Sequence, residues 1–186
     1  MQTMLHKVAA MLLALGCAPV AGGALAQGLA DEARDWQVSA PQALRRAPYS
    51  APTPMDIPDA KVIRTAELKA ALESATPPIL IDVAAGEGHD TLPGAVWIPG
   101  AGRGENFVDT IQGELKGLLA QLTAGDRDRA VVFLCVNSQC WLSFNAARRA
   151  FVAGFRNVYW YRGGYAAWKA AGLPLVPIQP GNQPAN

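Results

Sequence analysis

Val131-Val-Phe-Leu-Cys135-Val-Asn-Ser-Gln-Cys140-Trp-Leu-Ser143-Phe-Asn-Ala-Ala-Arg-Arg-Ala-Phe-Val-Ala-Gly154 is the stretch that decides the fold. Val131 to Leu134 is apolar throughout, as expected of a strand buried on both faces. A short loop with two cysteines follows, and the pattern then turns helical from about Ser143 to Ala153. Gly154 stands just beyond that helix, where a left-handed backbone costs glycine little. Strand, loop and helix in this order build a parallel sheet covered by helices.

Working outward, further short apolar runs predict strands at Lys61 to Ile63, Ile79 to Asp82, Ala95 to Ile98 and Val158 to Trp160. Helices are expected from about Thr65, as N-cap, to Ser74, from Glu105 to Leu122 and from Gly164 to Ala171, with Gly125 past the end of the second. The expected fold class is α/β, three layers with a central parallel sheet of about five strands flanked by helices. This domain should occupy residues 59–178. Residues 27–58 carry Pro41, Pro48, Pro52, Pro54 and Pro58 without a sustained apolar period and read as an extended arm. Trp36 and Tyr49 are candidates to pin it down, and residues 179–186 read as a flexible tail. There is no internal repeat.

His6 and Lys7 precede an apolar run, Val8 to Gly16, and small residues end in Ala24-Leu25-Ala26. That is the layout of a secretory signal peptide over residues 1–26, implying export and, with it, a periplasmic location. The run is too short, and too interrupted by Gly and Pro, to cross a bilayer core of about 30 Å. Cys17 leaves a lipoprotein alternative, although Ala14-Leu15-Gly16 matches the usual Leu-led lipobox poorly. The 186 residues, about half apolar, carry 16 basic and 15 acidic side chains scattered among one another. That mixture excludes the clustered basic face of a nucleic-acid binder.

Once the chain is cut after Ala26, only Cys135 and Cys140 remain as cysteines. An exported protein can keep such a pair as a structural disulfide, yet a bridge closing so short a loop constrains little of the unfolded chain. A cysteine where a strand meets a helix through a loop faces backbone N–H groups and the positive end of the helix dipole, and both stabilise a thiolate. No metal is expected: with His6 in the signal peptide, two thiolates and His89 cannot complete a Cys/His zinc set, which leaves only a two-coordinate Cu(I) alternative that nothing else in the sequence supports.

Ile79-Leu-Ile-Asp82-Val83, Leu92-Pro93-Gly94-Ala95, Val131-Val-Phe-Leu-Cys135 and Gly163-Gly164-Tyr165-Ala-Ala-Trp168-Lys-Ala-Ala-Gly172-Leu-Pro174 resemble a rhodanese domain in order and spacing, over roughly residues 59 to 176. A narrower similarity is to exported rhodanese-like proteins associated with PQQ-dependent catabolism and named for a C-x-x-C-W motif. It rests on Thr91-Leu-Pro-Gly-Ala-Val-Trp97-Ile-Pro-Gly100-Ala-Gly102, Cys140-Trp141-Leu-Ser143-Phe-Asn145-Ala-Ala147 and Val158-Tyr-Trp160-Tyr161. Here four residues separate the cysteines, so the motif fits loosely.

The resemblance implies that Cys135 is a nucleophile that takes a sulfane sulfur as a persulfide and passes it on. It places Asn137, Ser138, Gln139, Trp141 and Ser143 as the substrate-binding loop and Asp82 as structural support. Cys140 has three open roles: resolving thiol, primary nucleophile or structural partner. Where rhodanese loops commonly carry an Arg before the helix-starting Ser, this chain has Leu142, and the loop holds no cation. Thiosulfate is therefore a poor fit, and phosphatase chemistry, which needs such an Arg, is excluded, Arg148 and Arg149 lying inside the helix. Ala84 also replaces a frequent Arg, leaving Asp82 as a plain hydrogen-bond acceptor, and His89 reads as a solvated loop residue. Trp141, Phe144, Trp160 and Tyr161 read as core, or else as an apolar mouth.

Three functions follow: a sulfurtransferase or sulfur carrier taking a small sulfur donor or a protein thiol; a thiol-disulfide or maturation accessory of a periplasmic quinoprotein or cytochrome; and a non-catalytic binding module. No cofactor is expected in the chain itself, and any PQQ connection is one of pathway.

Overall fold

The computed structural model describes residues 22–178. The expected tail and all but the last five residues of the expected signal peptide lie outside them. The chain opens with α1 (Gly22–Ala33) and an extended segment, then runs β1 (Lys61–Ile63), α2 (Thr65–Leu72), β2 (Ile79–Asp82), β3 (His89–Thr91) and β4 (Val96–Trp97). It continues through α3 (Thr110–Leu122), β5 (Val131–Leu134), α4 (Trp141–Val152), β6 (Val158–Tyr161), α5 (Gly164–Ala170) and β7 (Val176–Ile178). Five strands form one parallel sheet in the order β1-β6-β5-β2-β4, while β3 and β7 pair antiparallel beside it.

The apolar runs make this sheet central because alternate residues point to opposite faces. Ile81, Phe133 and Trp160 meet Leu115 and Leu119 of α3 and Phe144 and Ala147 of α4 on one face. Leu80, Val132, Leu134 and Tyr161 meet Leu68 of α2 and Ala167 and Trp168 of α5 on the other. Each such large side chain taken from water contributes about 1.5–3 kcal/mol of transfer free energy. The three-layer α/β fold is as expected.

Several boundaries differ from those read in the sequence. Helix α3 starts at Thr110 rather than near Glu105, because Asp109 caps it by accepting the Gln112 N–H at 2.9 Å. Helix α2 is capped from Arg64, whose N–H donates to Glu67, and the Thr65 hydroxyl is turned instead toward Glu32 and Tyr161. Helix α4 begins two residues before Ser143, directly after Cys140.

The expected extended arm is helical up to Ala33, and this α1 lies against α5. Gly28 permits that approach: a Cβ there would stand 2.7 Å from the Ala166 carbonyl oxygen. The rest of the arm is held by buried arginines. Arg162, 2% exposed, donates to the carbonyls of Glu32 (2.6 Å), Arg34 (2.9 Å) and Thr53 (3.1 Å) and to the Thr53 hydroxyl (3.1 Å). Arg148 donates to the Pro41 carbonyl, and Asn145 brackets Arg45 by bonding both its N–H and its carbonyl. Arg149 turns the other way, clamping both carboxylate oxygens of Asp109 and so tying α4 to α3. A buried guanidinium is tolerable when its N–H groups find acceptors.

Candidate functional site

Strand β5 delivers Cys135 to the carboxyl edge of the sheet, where loops of open α/β sheets form their crevices. The side chain is 1% exposed. Cys140 sits half-buried as the residue preceding α4, and the two are joined in a disulfide with Cα atoms 6.2 Å apart. The loop between them is folded on itself: Asn137 accepts the Gln139 N–H through Oδ1 at 2.9 Å and the Cys140 N–H through its carbonyl at 3.1 Å.

Two neighbouring segments fix this loop. From one side, Tyr165 and Ala166 at the start of α5 donate their N–H groups to the carbonyls of Cys135 (3.1 Å) and Val136 (3.0 Å). Gly164 makes that approach possible. Its φ of +59° is left-handed, and a Cβ on it would run into the Cys135 carbonyl oxygen. From the other side, residues 49–53 of the arm lie antiparallel to the loop as a strap, bridging Ser50 to Cys140. Ala51 donates to the Gln139 carbonyl (2.9 Å), Trp141 to the Tyr49 carbonyl (2.9 Å), and the Thr53 hydroxyl to the Ser138 carbonyl (2.6 Å).

A cavity of about 210 Å³ opens onto the disulfide. Tyr49 and Ser50 of the strap, Ala85, Val136 and Leu142 form its walls, with Asn137, Gln139 and the two cysteines completing it. Among the described residues, no Arg, Lys, Asp or Glu lines it.

The structure separates the residues singled out in the sequence. Asn137 and Gln139 face the cavity with the cysteines. Ser138 is 2% exposed, and its hydroxyl has no partner. Trp141 is buried, its indole donating to the Pro52 carbonyl and its ring meeting Phe144 edge-on. Ser143 is buried too: its hydroxyl accepts the Trp160 indole N–H at 3.0 Å and donates to the Cys140 carbonyl. Phe144, Trp160 and Tyr161 are fully buried in the core.

Asp82 is fully buried, accepting the Ala84 N–H (2.8 Å), the Thr91 hydroxyl (2.6 Å) and His89 Nε2 (2.7 Å). This corrects the reading of His89 as a solvated loop residue. Its side chain is 18% exposed, and its ring packs 5.1 Å from Trp97 and 5.4 Å from Tyr165. Burial, with the nearby Asp82 charge, pushes the Tyr165 phenol up to about 12. Tyr49, a candidate in the sequence to pin the arm, does so: its hydroxyl accepts the Gly104 N–H at 3.1 Å and its carbonyl the Trp141 N–H. Nothing in the sequence pointed to buried Glu32, which accepts the Thr65 N–H and hydroxyl; burial raises its carboxyl above the ordinary value.

Residues 64–171 match the family model described as Rhodanese-like domain. No curated protein matches the chain. Among solved structures it is similar to a thiosulfate sulfurtransferase from Pseudomonas aeruginosa, at 20% identity and a TM-score of 0.48 over 82% of this chain. The match spans only 22% of that protein's length. It is also similar to the rhodanese-like domain of an Anabaena protein (23% identity, TM-score 0.44, covering 67% of this chain and 84% of that one). A third similarity is to a human single-domain sulfurtransferase (22% identity, TM-score 0.41, covering 59% and 96%).

Proposed function

We propose, because this chain belongs to the rhodanese-like domain family, that it is a sulfurtransferase-type protein carrying sulfur as a persulfide on Cys135, with Cys140 as its resolving thiol. The observation that carries this reading is the Cys135–Cys140 bond beside an open cavity: the two sulfur atoms reach one another within the loop without unfolding it.

In the reduced protein the Cys135 thiolate attacks the outer sulfur of a donor R–S–SH. A new S–S bond forms, and RS⁻ leaves. An acceptor thiolate then takes the outer sulfur and restores the Cys135 thiolate. When no acceptor arrives, the Cys140 thiolate attacks the inner sulfur of the persulfide, which closes the disulfide and releases HS⁻. Attack of this kind needs the two sulfur atoms within reach of one another, and the Cys135–Cys140 bond supplies that proximity.

The test is intact-mass measurement of reduced protein after exposure to polysulfide. Wild type should gain sulfur and Cys135→Ser should not; a wild type that gains none sinks the reading.

The same disulfide favours a second reading, a dithiol-disulfide accessory for a periplasmic quinoprotein or cytochrome. Titrating the pair separates this from an inert bond, which would lie far below about −300 mV. Export to the periplasm belongs to both readings. It is supported by the pattern at residues 1–26 and by the disulfide, since such bonds persist in oxidising compartments. Cell fractionation with N-terminal sequencing, expected to begin at Gln27, checks it. The kinship with the PQQ-associated C-x-x-C-W proteins is part of the proposal too, supported by the Cys140-Trp141 pair.

A further inference from the structure

The cavity over the disulfide lacks the groups that an anionic sulfur donor needs. Among the described residues, its lining holds no cation. The backbone N–H groups where the loop meets α4 are already bound inside the protein: Gln139 donates to Asn137 Oδ1, Cys140 to the Asn137 carbonyl and Trp141 to the Tyr49 carbonyl. The last is the first of the N–H groups that an anion would meet at the helix end. The strap therefore takes a place that a sulfonate or carboxylate would seek. The buried guanidiniums of Arg149 and Arg162 are committed elsewhere, to Asp109 and to the arm.

What the cavity does offer is apolar wall from Tyr49, Ala85, Val136 and Leu142, with the neutral amides of Asn137 and Gln139. Val136 is 39% exposed at this loop. Moving an anion from water into such a space costs free energy that no cation here offsets, whereas an uncharged group with an apolar body and an amide suffers little.

We infer that the sulfur donor is an organic persulfide, taken as protonated R–S–SH, whose carbon body carries no anionic group, and that the strap together with Leu142 sets this preference. The inference rests on the persulfide chemistry proposed for Cys135. In the step itself the Cys135 thiolate bonds to the outer sulfur, the S–S bond of the donor breaks, and the carbon-borne thiolate departs. Two carriers share this chemistry, a small neutral thiol and a cysteine in an uncharged peptide segment of a partner protein.

The test holds the reacting sulfur constant and changes only charge. Reduced full-length protein is mixed with N-acetylcysteine persulfide, which bears a carboxylate, or with the persulfide of N-acetylcysteine amide, and sulfur transfer to Cys135 is timed by mass spectrometry. The amide should react at least about tenfold faster, and Gln139→Arg, which places a cation at the cavity, should erase or reverse that preference. Leu142→Arg is a second variant to the same end. Equal rates in wild type, or a faster carboxylate, would overturn the inference while leaving the persulfide reading intact. Transfer from neither donor would instead sink that underlying reading. A third arm uses the persulfidated cysteine in a capped, uncharged peptide: a rate above that of the small amide assigns the carrier to a protein, and an equal rate assigns it to a small thiol.

Discussion

His89 Nε2 lies 2.7 Å from Asp82 Oδ2, joining the carboxyl end of β2 to β3. Asp82 is fully buried and also serves Thr91 and the Ala84 N–H. Asp82→Ala would strand three donors at once. A loss of about 2–4 kcal/mol in urea unfolding is expected, with His89→Ala costing about half as much. Equal stability of Asp82→Ala and wild type would contradict the arrangement.

Arg149 is 0% exposed and holds both Asp109 oxygens, so Arg149→Met leaves a carboxylate and the Arg103 carbonyl without their donor. Chemical denaturation should show a loss of about 3–5 kcal/mol.

The same contact gives a pH dependence. Hydrogen bonds from Arg149 hold the Asp109 carboxyl below its ordinary value. A folded-state value below the unfolded one adds stability that is complete above about pH 4 and disappears as pH falls toward the folded-state value. Asp109→Asn should flatten this acid limb of a stability-versus-pH curve; an unchanged slope would count against it.

Tyr165 works in the opposite direction. Its phenol is pushed up to about 12, so in alkali the unfolded chain, ionising near pH 10, releases its proton first. Stability should fall as pH rises from about 10 to 12 and fall less in Tyr165→Phe. Ultraviolet difference titration should place two phenols of the wild type above the ordinary range, since burial also raises that of Tyr161, and only one in Tyr165→Phe.

Thr53 ties the strap to two partners, the Ser138 carbonyl and the Arg162 guanidinium. Thr53→Val should therefore speed hydrogen exchange at Gln139, Cys140 and Trp141 and raise the alkylation rate of reduced Cys135. Unaltered exchange there would show that the strap does not hold the loop.

Reduction of the disulfide should leave the domain folded. Closing a loop of five-residue separation stabilises by only about 2 kcal/mol in the chain-entropy account, small beside the core of two buried faces. Thermal melts with and without reductant check this.

The elements that the sequence reading located correctly are those whose signals are local. Val131 to Leu134 is apolar at four successive positions and is a strand of the central sheet; Gly125 and Gly154 follow helices and take φ of +81° and +95°. Cys135 at the end of β5 was legible because strand, loop and helix are adjacent in the chain. Boundaries moved where a side chain beyond the local pattern intervened, as Asp109 does for α3. The two short strands β3 and β7 went unread because neither is stable without the other, which lies more than 80 residues away along the chain. Helix α1 was obscured by the neighbouring signal-like and proline-rich stretches.

The sequence alone thus determined the α/β class, the order of the main strands, the position of the cysteine pair and the lack of a cation in its loop. The tertiary structure alone decided that His89 meets Asp82, that Arg148, Arg149 and Arg162 turn inward, and that the strap holds the Trp141 N–H beside the disulfide. The physical reason is range. Backbone propensity and apolar period act over a few residues, whereas Thr53 finds Arg162, and Arg45 finds Asn145, across about a hundred residues. Those meetings are created only when the sheet assembles as β1-β6-β5-β2-β4 and carries distant segments to one edge.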